Sequence, residues 1–398
     1  MKKMFLFLFF VLLISGCGTV PVDVEETPMP TAAVTLVPTL ITTPTMTFTP
    51  APSTQTPFVP TALPEFQFDD DITVIPVAMG GEFVGTLPQN LIFSAKEDGD
   101  WNLFVLEKDL QVKRITEGMG SVFTAKWSPD GEKVIVELYD RELEQSTYWL
   151  LDKNGEILKQ LFLNQYGQIV EISWAPDSKR FVFSSVEKIY VGDIETDLFS
   201  VIFQGKSIYY LEWSPVDETI AFTQGITSLE SHVYAIESNG NNFRQLTDID
   251  AIENTLVWSP GGEKIAFKRQ IVSEGGWDIV VINKDGTDER KIAEIDVASQ
   301  ILWSPDGKEI GYFYTFWFGH YERSIYPCVV SVESLDFVCY GIETQSISGW
   351  TKDGAYFLIS DNTAFGVWHS WLIDLDSKIA YLIIDEEDTT GLHWLNQP

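Results

Sequence analysis

The chain has 398 residues, 45% of them hydrophobic, which is enough for a large core. Its formal net charge of −32 argues against a nucleic-acid partner and against contact of the folded part with an anionic membrane, because both need clustered Lys and Arg. Length alone suggests two or three domains, but an internal repeat overrides that prior.

Residues 1–16 carry Lys2 and Lys3, an apolar run from Met4 to Ile14, and the small residues Ser15 and Gly16. This is the pattern of a secretory signal and is too short for a membrane span. The tetrad Ile14-Ser15-Gly16-Cys17 resembles the lipobox of bacterial lipoproteins. The resemblance implies cleavage before Cys17, a diacylglycerol on its sulfur, and a protein anchored to the cell membrane or outer membrane on the extracytoplasmic side. An ordinary secretory signal that happens to contain a cysteine is the alternative. Each buried methylene of an acyl chain contributes roughly 0.8 kcal/mol, so two chains hold stably. The lipid would be the only contact with the membrane.

Residues 17–64 read as a stalk. From Thr27 to Pro64 there is no charged residue, and ten of the 19 prolines lie between Pro21 and Pro64. Such a segment cannot bury enough apolar area to fold, and its prolines favour an extended helix without internal hydrogen bonds. At about 3.1 Å per residue it reaches on the order of 100 Å. Its threonines suit either a bare spacer or an O-glycosylated one. Residues 65–89 lead in to the folded domain, 90–398.

Six marks organise that domain: Trp127-Ser-Pro-Asp-Gly, Trp174-Ala-Pro-Asp-Ser, Trp213-Ser-Pro-Val-Asp, Trp258-Ser-Pro-Gly-Gly, Trp303-Ser-Pro-Asp-Gly and Trp350-Thr-Lys-Asp-Gly, with a bare Trp394 near the end. The intervals are 47, 39, 45, 45, 47 and 44 residues, a repeat architecture. In the unit that begins at Trp258, short apolar runs alternate with turn chemistry four times, which matches the four-stranded blade of an all-β propeller. Pro sets the first corner of the turn, Asp the second, and Gly takes the positive φ that follows. Where Gly is replaced, at Ser178 and Asp217, a looser turn is expected. The tryptophan ends the innermost strand and packs one blade on the next.

Trp303-Ser-Pro-Asp-Gly-Lys-Glu-Ile-Gly-Tyr312 and Trp258-Ser-Pro-Gly-Gly-Glu-Lys-Ile-Ala-Phe267 are similar to the repeats of TolB-type propellers, over about residues 90–398. TolB also has an amino-terminal α/β domain where this chain has the stalk, so the resemblance implies the propeller and not TolB's role. Six marks open six units, and Asn90 to Thr116 supplies strands two to four of another. Residues around Leu392 to Leu395 would complete that first blade and close a seven-bladed ring, removing free edges. Six blades, as in TolB, is the alternative.

Local catalytic motifs are absent from the sequence. The four histidines, His232, His320, His369 and His393, have no metal-ligating spacing, and there is no nucleophile elbow, phosphate loop or Cys-x-x-Cys pair. No catalytic residue is assigned and no cofactor is expected. Calcium at Asp69-Asp70-Asp71 or Asp385-Glu386-Glu387-Asp388 is set against the plainer reading of solvated acidic loops. Cys328 and Cys339 would face each other across a hairpin, and an extracytoplasmic setting permits either a disulfide or two reduced, half-buried cysteines.

The best binding candidate is the connection between the second and third strands of the sixth blade, Phe316 to Arg323, with Trp317, His320, Tyr321 and Arg323. The corresponding connections carry Trp368 and His369 in the seventh blade and Trp101 in the first, and all three should lie on one rim. Aromatics beside a few polar groups suit a protein or carbohydrate surface, and equally a plugged channel. The sequence thus predicts a monomeric binding or scaffolding module of the cell envelope. The competing class is a propeller enzyme of glycosidase, lyase or metal-dependent lactonase type, which would gather carboxylates in the central pocket.

Overall fold

A computed structural model describes residues 73–394, except residues 98, 141–143, 272, 274, 296–299, 319–321, 345, 363–366 and 388. The described chain folds into seven four-stranded antiparallel sheets arranged as the blades of a β-propeller. Blades 2 to 7 open on the inner strands Ser121–Trp127, Ile169–Trp174, Ile208–Trp213, Ile252–Trp258, Leu302–Trp303 and Ser346–Trp350. Blade 1 takes its inner strand from the other end of the chain: Thr389–Trp394 pairs with Leu91–Glu97, with Leu91 opposite Trp394 and Ile92 opposite His393. The ring is therefore seven-bladed and closed by the C-terminal strand, and the six-bladed alternative is set aside.

Residues ahead of blade 1 do more than lead in. Thr73–Pro76 pairs in parallel with Phe337–Gly341 and adds a fifth strand outside blade 6. Ala78–Glu82 does the same on Ile379–Glu387 of blade 7. Gly80 lets this strand lie flat on its neighbour, since a Cβ there would stand 2.6 Å from Ile379 Cγ2. Covering an exposed edge in this way leaves fewer unpaired backbone groups for other chains.

The core lies between blades rather than within them. Seven apolar clusters of buried residues occur among the described residues, one at each blade junction. Ala266, Ile279 and Val281 of blade 5, for example, meet Trp303, Ile310 and Tyr312 of blade 6, and Leu91 and Phe104 of blade 1 meet Leu358 and Leu372 of blade 7. Small residues on the second strands make room for the next blade's tryptophan. At Gly311 an added Cβ would lie 2.7 Å from Trp350 Cη2. The indole N–H is also used: Trp174, Trp258 and Trp303 donate to the carbonyls of Lys126, Glu212 and Val257, each the residue just before the previous blade's tryptophan.

The repeated turn owes more to its serine than the sequence suggests. Ser128 Oγ donates to Asp130 and accepts from the Lys133 N–H, and Ser304 does the same with Asp306 and Glu309. Gly131, Gly262, Gly307 and Gly354 take φ near 70° and donate back to the residue after the tryptophan. Contrary to expectation, the turn at Ser178 is not loose: Ser178 itself takes φ 57° and makes the same backbone bond, 3.1 Å to Ala175. Its hydroxyl accepts the Asp130 N–H of the preceding blade at 3.1 Å, an interaction glycine lacks. At Asp217 the turn is held differently, with the carboxylate accepting the Thr219 N–H at 3.0 Å.

Cys328 and Cys339 are joined by a disulfide between the third and fourth strands of blade 6. Both are fully buried at the junction with blade 5.

Candidate binding rim and central channel

In each blade the first and third connections lie on one face and the second connection on the other, which also receives the link to the next blade. The sequence-chosen residues sit at the second connection of blades 1, 6 and 7, where much of what reads as loop in the sequence is strand. In blade 6 the strands Glu309–Phe318 and Glu322–Ser331 run ten residues each, with Trp317 opposite Arg323. Aromatic residues favour extended pairing, so the segment continues the sheet. His320 and Tyr321 lie outside the described residues, and Trp317, Arg323 and Trp368 are described in their backbone pairing only. Trp368 pairs with Asn362, and His369 with Asp361 and Asp385. His369 is half-buried, with its ring 6.2 Å from that of Trp371. Trp101 is half-buried opposite Lys96, and its backbone N–H donates to Ser121 Oγ of blade 2 at 3.4 Å.

The acidic residues 385–387 are also strand. Asp385, Glu386 and Glu387 belong to the outer strand of blade 7, not to a solvated loop, while Asp388 and Asp69 to Asp71 lie outside the described residues. Among the described residues no group of three or more His, Cys, Asp or Glu side chains is placed to hold a metal ion.

Sequence reasoning missed the same rim on blades 2 to 4. The inner strands of these blades are bulged, at Val122/Thr124, Ile169/Glu171 and Tyr209/Glu212. A bulge inserts an extra residue and re-aims side chains. Phe123 is left 72% exposed, and Tyr209 and Tyr210 are both exposed. Tyr210 has φ 46°, a strained conformation for a bulky side chain. Connections of the same face add exposed Phe162, Ile226 and Leu229. The Phe123 ring is 6.4 Å from that of Tyr139, itself exposed. The only signal in the sequence was broken alternation, as in Ile208-Tyr-Tyr-Leu, and a bulge cannot be located from that alone.

Deeper along the inner strands is a charged group. Lys126 Nζ of blade 2 pairs with Glu171 of blade 3 at 2.7 Å. Glu212 of blade 4 accepts the Trp258 N–H at 2.9 Å. Burial pushes the Glu212 carboxyl up to about 7; the Trp258 N–H and Lys126 oppose this, and the Glu171 charge adds to it. Lys126 attracts the Glu212 carboxylate and Glu171 repels it, so two carboxylates and an ammonium on three adjacent inner strands act on one another.

A second ionic group serves the blade 4–5 junction. Arg269 Nη2 meets Glu253 Oε1 at 2.6 Å, and Arg269 Nη1 meets Glu289 at 2.6 Å. Glu253 also accepts the Val233 N–H at 3.1 Å. Its carboxyl is raised by burial, against the hydrogen bond from Thr247 and the Arg269 charge. Arg269 and Glu253 are buried while Glu289 reaches solvent, and the bonds to Val233 and Thr247 give this group a structural role.

No family model matches the chain. Among curated proteins it is similar to one described as a Tricorn-like protease C-terminal subunit of Sulfurisphaera tokodaii, 25% identical over 120 residues. The match takes in 30% of this chain and spans only 14% of that relative's length. Among solved structures it is similar to oligogalacturonate lyase from Vibrio parahaemolyticus, with a TM-score of 0.57 and 14% identity over 78% of this chain and 92% of that one. TolB from Acinetobacter baumannii gives a TM-score of 0.46 and 16% identity, over 64% and 63%. What the chain shares with the lyase is the fold. A shared propeller does not carry an activity with it.

Proposed function

We propose that this protein is a lipid-anchored, extracytoplasmic binding or scaffolding module of the cell envelope. It acts as a monomer without a cofactor, and recognises a protein or carbohydrate on the rim that carries the second connections. The observation that supports this most is the arc of exposed apolar side chains on blades 2 to 4, presented by bulged inner strands on a closed, rigid ring. Exposed apolar groups gathered on one face are characteristic of interaction surfaces. The anchor is Cys17, and the Thr/Pro-rich segment after it is the spacer.

Two experiments test this reading. A Phe123→Ser/Tyr210→Ser variant with unchanged melting temperature is compared with wild type against arrayed envelope polysaccharides and a displayed random peptide library. Retention of either class by wild type and its loss in the variant supports the rim; equal behaviour of the two proteins refutes it. Cys17→Ser should abolish fatty-acid incorporation and release the protein from membranes, and an unchanged distribution would remove the anchor.

A second reading, a propeller enzyme working in the central channel, is favoured by Glu171, Glu212 and Lys126. A carboxyl poised near 7 suits a general acid or base at neutral pH. Turnover of any arrayed polysaccharide that disappears in Glu212→Gln would establish it, and turnover unaffected by that change would exclude this site.

A further inference from the structure

The occupant of the blade 2–4 arc can be narrowed by its chemistry, an inference that rests on the rim reading above. Phe123, Phe162, Ile226 and Leu229 offer hydrocarbon with no hydrogen-bonding group, all exposed. Sugars are held by aromatic faces combined with polar side chains that pair their hydroxyls. Branched aliphatic groups such as Ile226 and Leu229 give no such face. They fit apolar side chains of a polypeptide.

Charge supplies the second constraint. Among the described residues, Glu144, Glu187, Asp248 and Asp250 are exposed on the connections of this arc, against exposed Lys206 and half-buried Lys188. No ion-pair partner of these four occurs among the described residues. The opposite face is different: there Glu132 pairs with Lys153 at 2.8 Å, Glu218 with Arg180 at 2.7 Å, Glu263 with Lys284 at 2.9 Å and Asp306 with Lys308 at 3.0 Å. Part of the acidity of the opposite face is thus neutralised within the chain, while the four carboxylates beside the apolar arc are left to meet cations from outside it. In a chain of formal net charge −32 the arc repels acidic partners and attracts basic ones.

We propose that the arc over blades 2 to 4 binds a polypeptide segment in which Lys or Arg residues alternate with aromatic or aliphatic ones. Its apolar side chains seat among Phe123, Tyr209 and Tyr210, and its cations face Glu187 and Asp248. The bulged inner strands fix the anchors before the partner arrives, which lowers the ordering cost of binding.

The test pans a displayed library of random dodecapeptides over the full folded domain at low and high salt. Peptides kept by wild type and lost by Phe123→Ser/Tyr210→Ser should be enriched in Lys or Arg together with aromatic or aliphatic residues. A synthetic peptide of the winning sequence should bind at least tenfold more weakly to that variant. Glu187→Lys/Asp248→Lys should also weaken it and flatten its salt dependence. Enrichment of acidic peptides, or retention of polysaccharide with no peptide retained, overturns this inference and leaves the rim reading standing. Failure of every peptide and polysaccharide probe overturns both.

Discussion

Trp258 and Glu212 are bound to each other twice. The Trp258 indole N–H donates to the Glu212 carbonyl at 3.2 Å, and its backbone N–H donates to Glu212 Oε2 at 2.9 Å. One contact belongs to the repeat, since Trp174 and Trp303 make the same bond to Lys126 and Val257. The other has a counterpart in Trp213, whose backbone N–H donates to Ser173 Oγ at 3.0 Å, and here it ties the Glu212 carboxylate to the neighbouring blade.

Trp258→Phe keeps most of the apolar area and removes the indole donor. Urea unfolding should show a loss of about 1 kcal/mol, the ordinary net worth of such a bond, plus a packing loss. Trp127, whose indole nitrogen finds no partner among the described residues, is the control. Trp127→Phe should cost less, and equal losses would mean that the latch contributes nothing.

Glu212 should make stability depend on pH. Its carboxyl rises from 4.5 to about 7 on folding, so the folded state holds a proton that the unfolded state has lost. The contribution is present below pH 4.5 and is lost as pH rises through 7, where the charged carboxylate sits desolvated. Glu212→Gln should therefore gain on wild type between pH 5 and 8, by up to about 3 kcal/mol. Denaturation midpoints at the two pH values measure it, and a pH-independent difference would contradict the assignment.

Ser178 separates backbone strain from side-chain bonding. Ser178→Ala keeps a Cβ at φ 57° and loses the bond from Asp130, so it should cost about 1 to 2 kcal/mol. Ser178→Gly relieves the strain while losing the same bond, and should stay within about 1 kcal/mol of wild type. If alanine were tolerated better than glycine, backbone strain would not govern this turn, and if neither variant lost stability the hydroxyl bridge would have no importance.

Ring closure is tested by ending the chain before Thr389. Removal of Thr389–Trp394 strips blade 1 of its inner strand and exposes the edge at Leu91–Glu97. Thermal unfolding should lose cooperativity and the protein should associate through the open edge. A truncated protein that remains monomeric with an unchanged melting temperature would show that closure is dispensable.

The sequence by itself determined the architecture, because a propeller is built from local signals repeated at a fixed interval. Each proline turn and each run of alternating residues acts within its own blade and each tryptophan marks where a blade opens, so seven blades and their closure at Trp394 could be counted from the chain. Even the missing first strand was legible, as a unit that starts at Asn90 without its tryptophan. The tertiary structure decided everything that depends on how blades meet. Ser178 holds a glycine turn because its hydroxyl reaches Asp130 in the preceding blade, which no local rule contains. Thr73–Pro76 and Ala78–Glu82 become outer strands because blades 6 and 7, remote in sequence, offer them edges. Phe123 and Tyr210 stand exposed because bulges shift the register by one residue, and a shift of one exchanges the buried and open faces of a strand. Lys126, Glu171 and Glu212 act on one another from three blades, since only the folded ring sets their inner strands side by side.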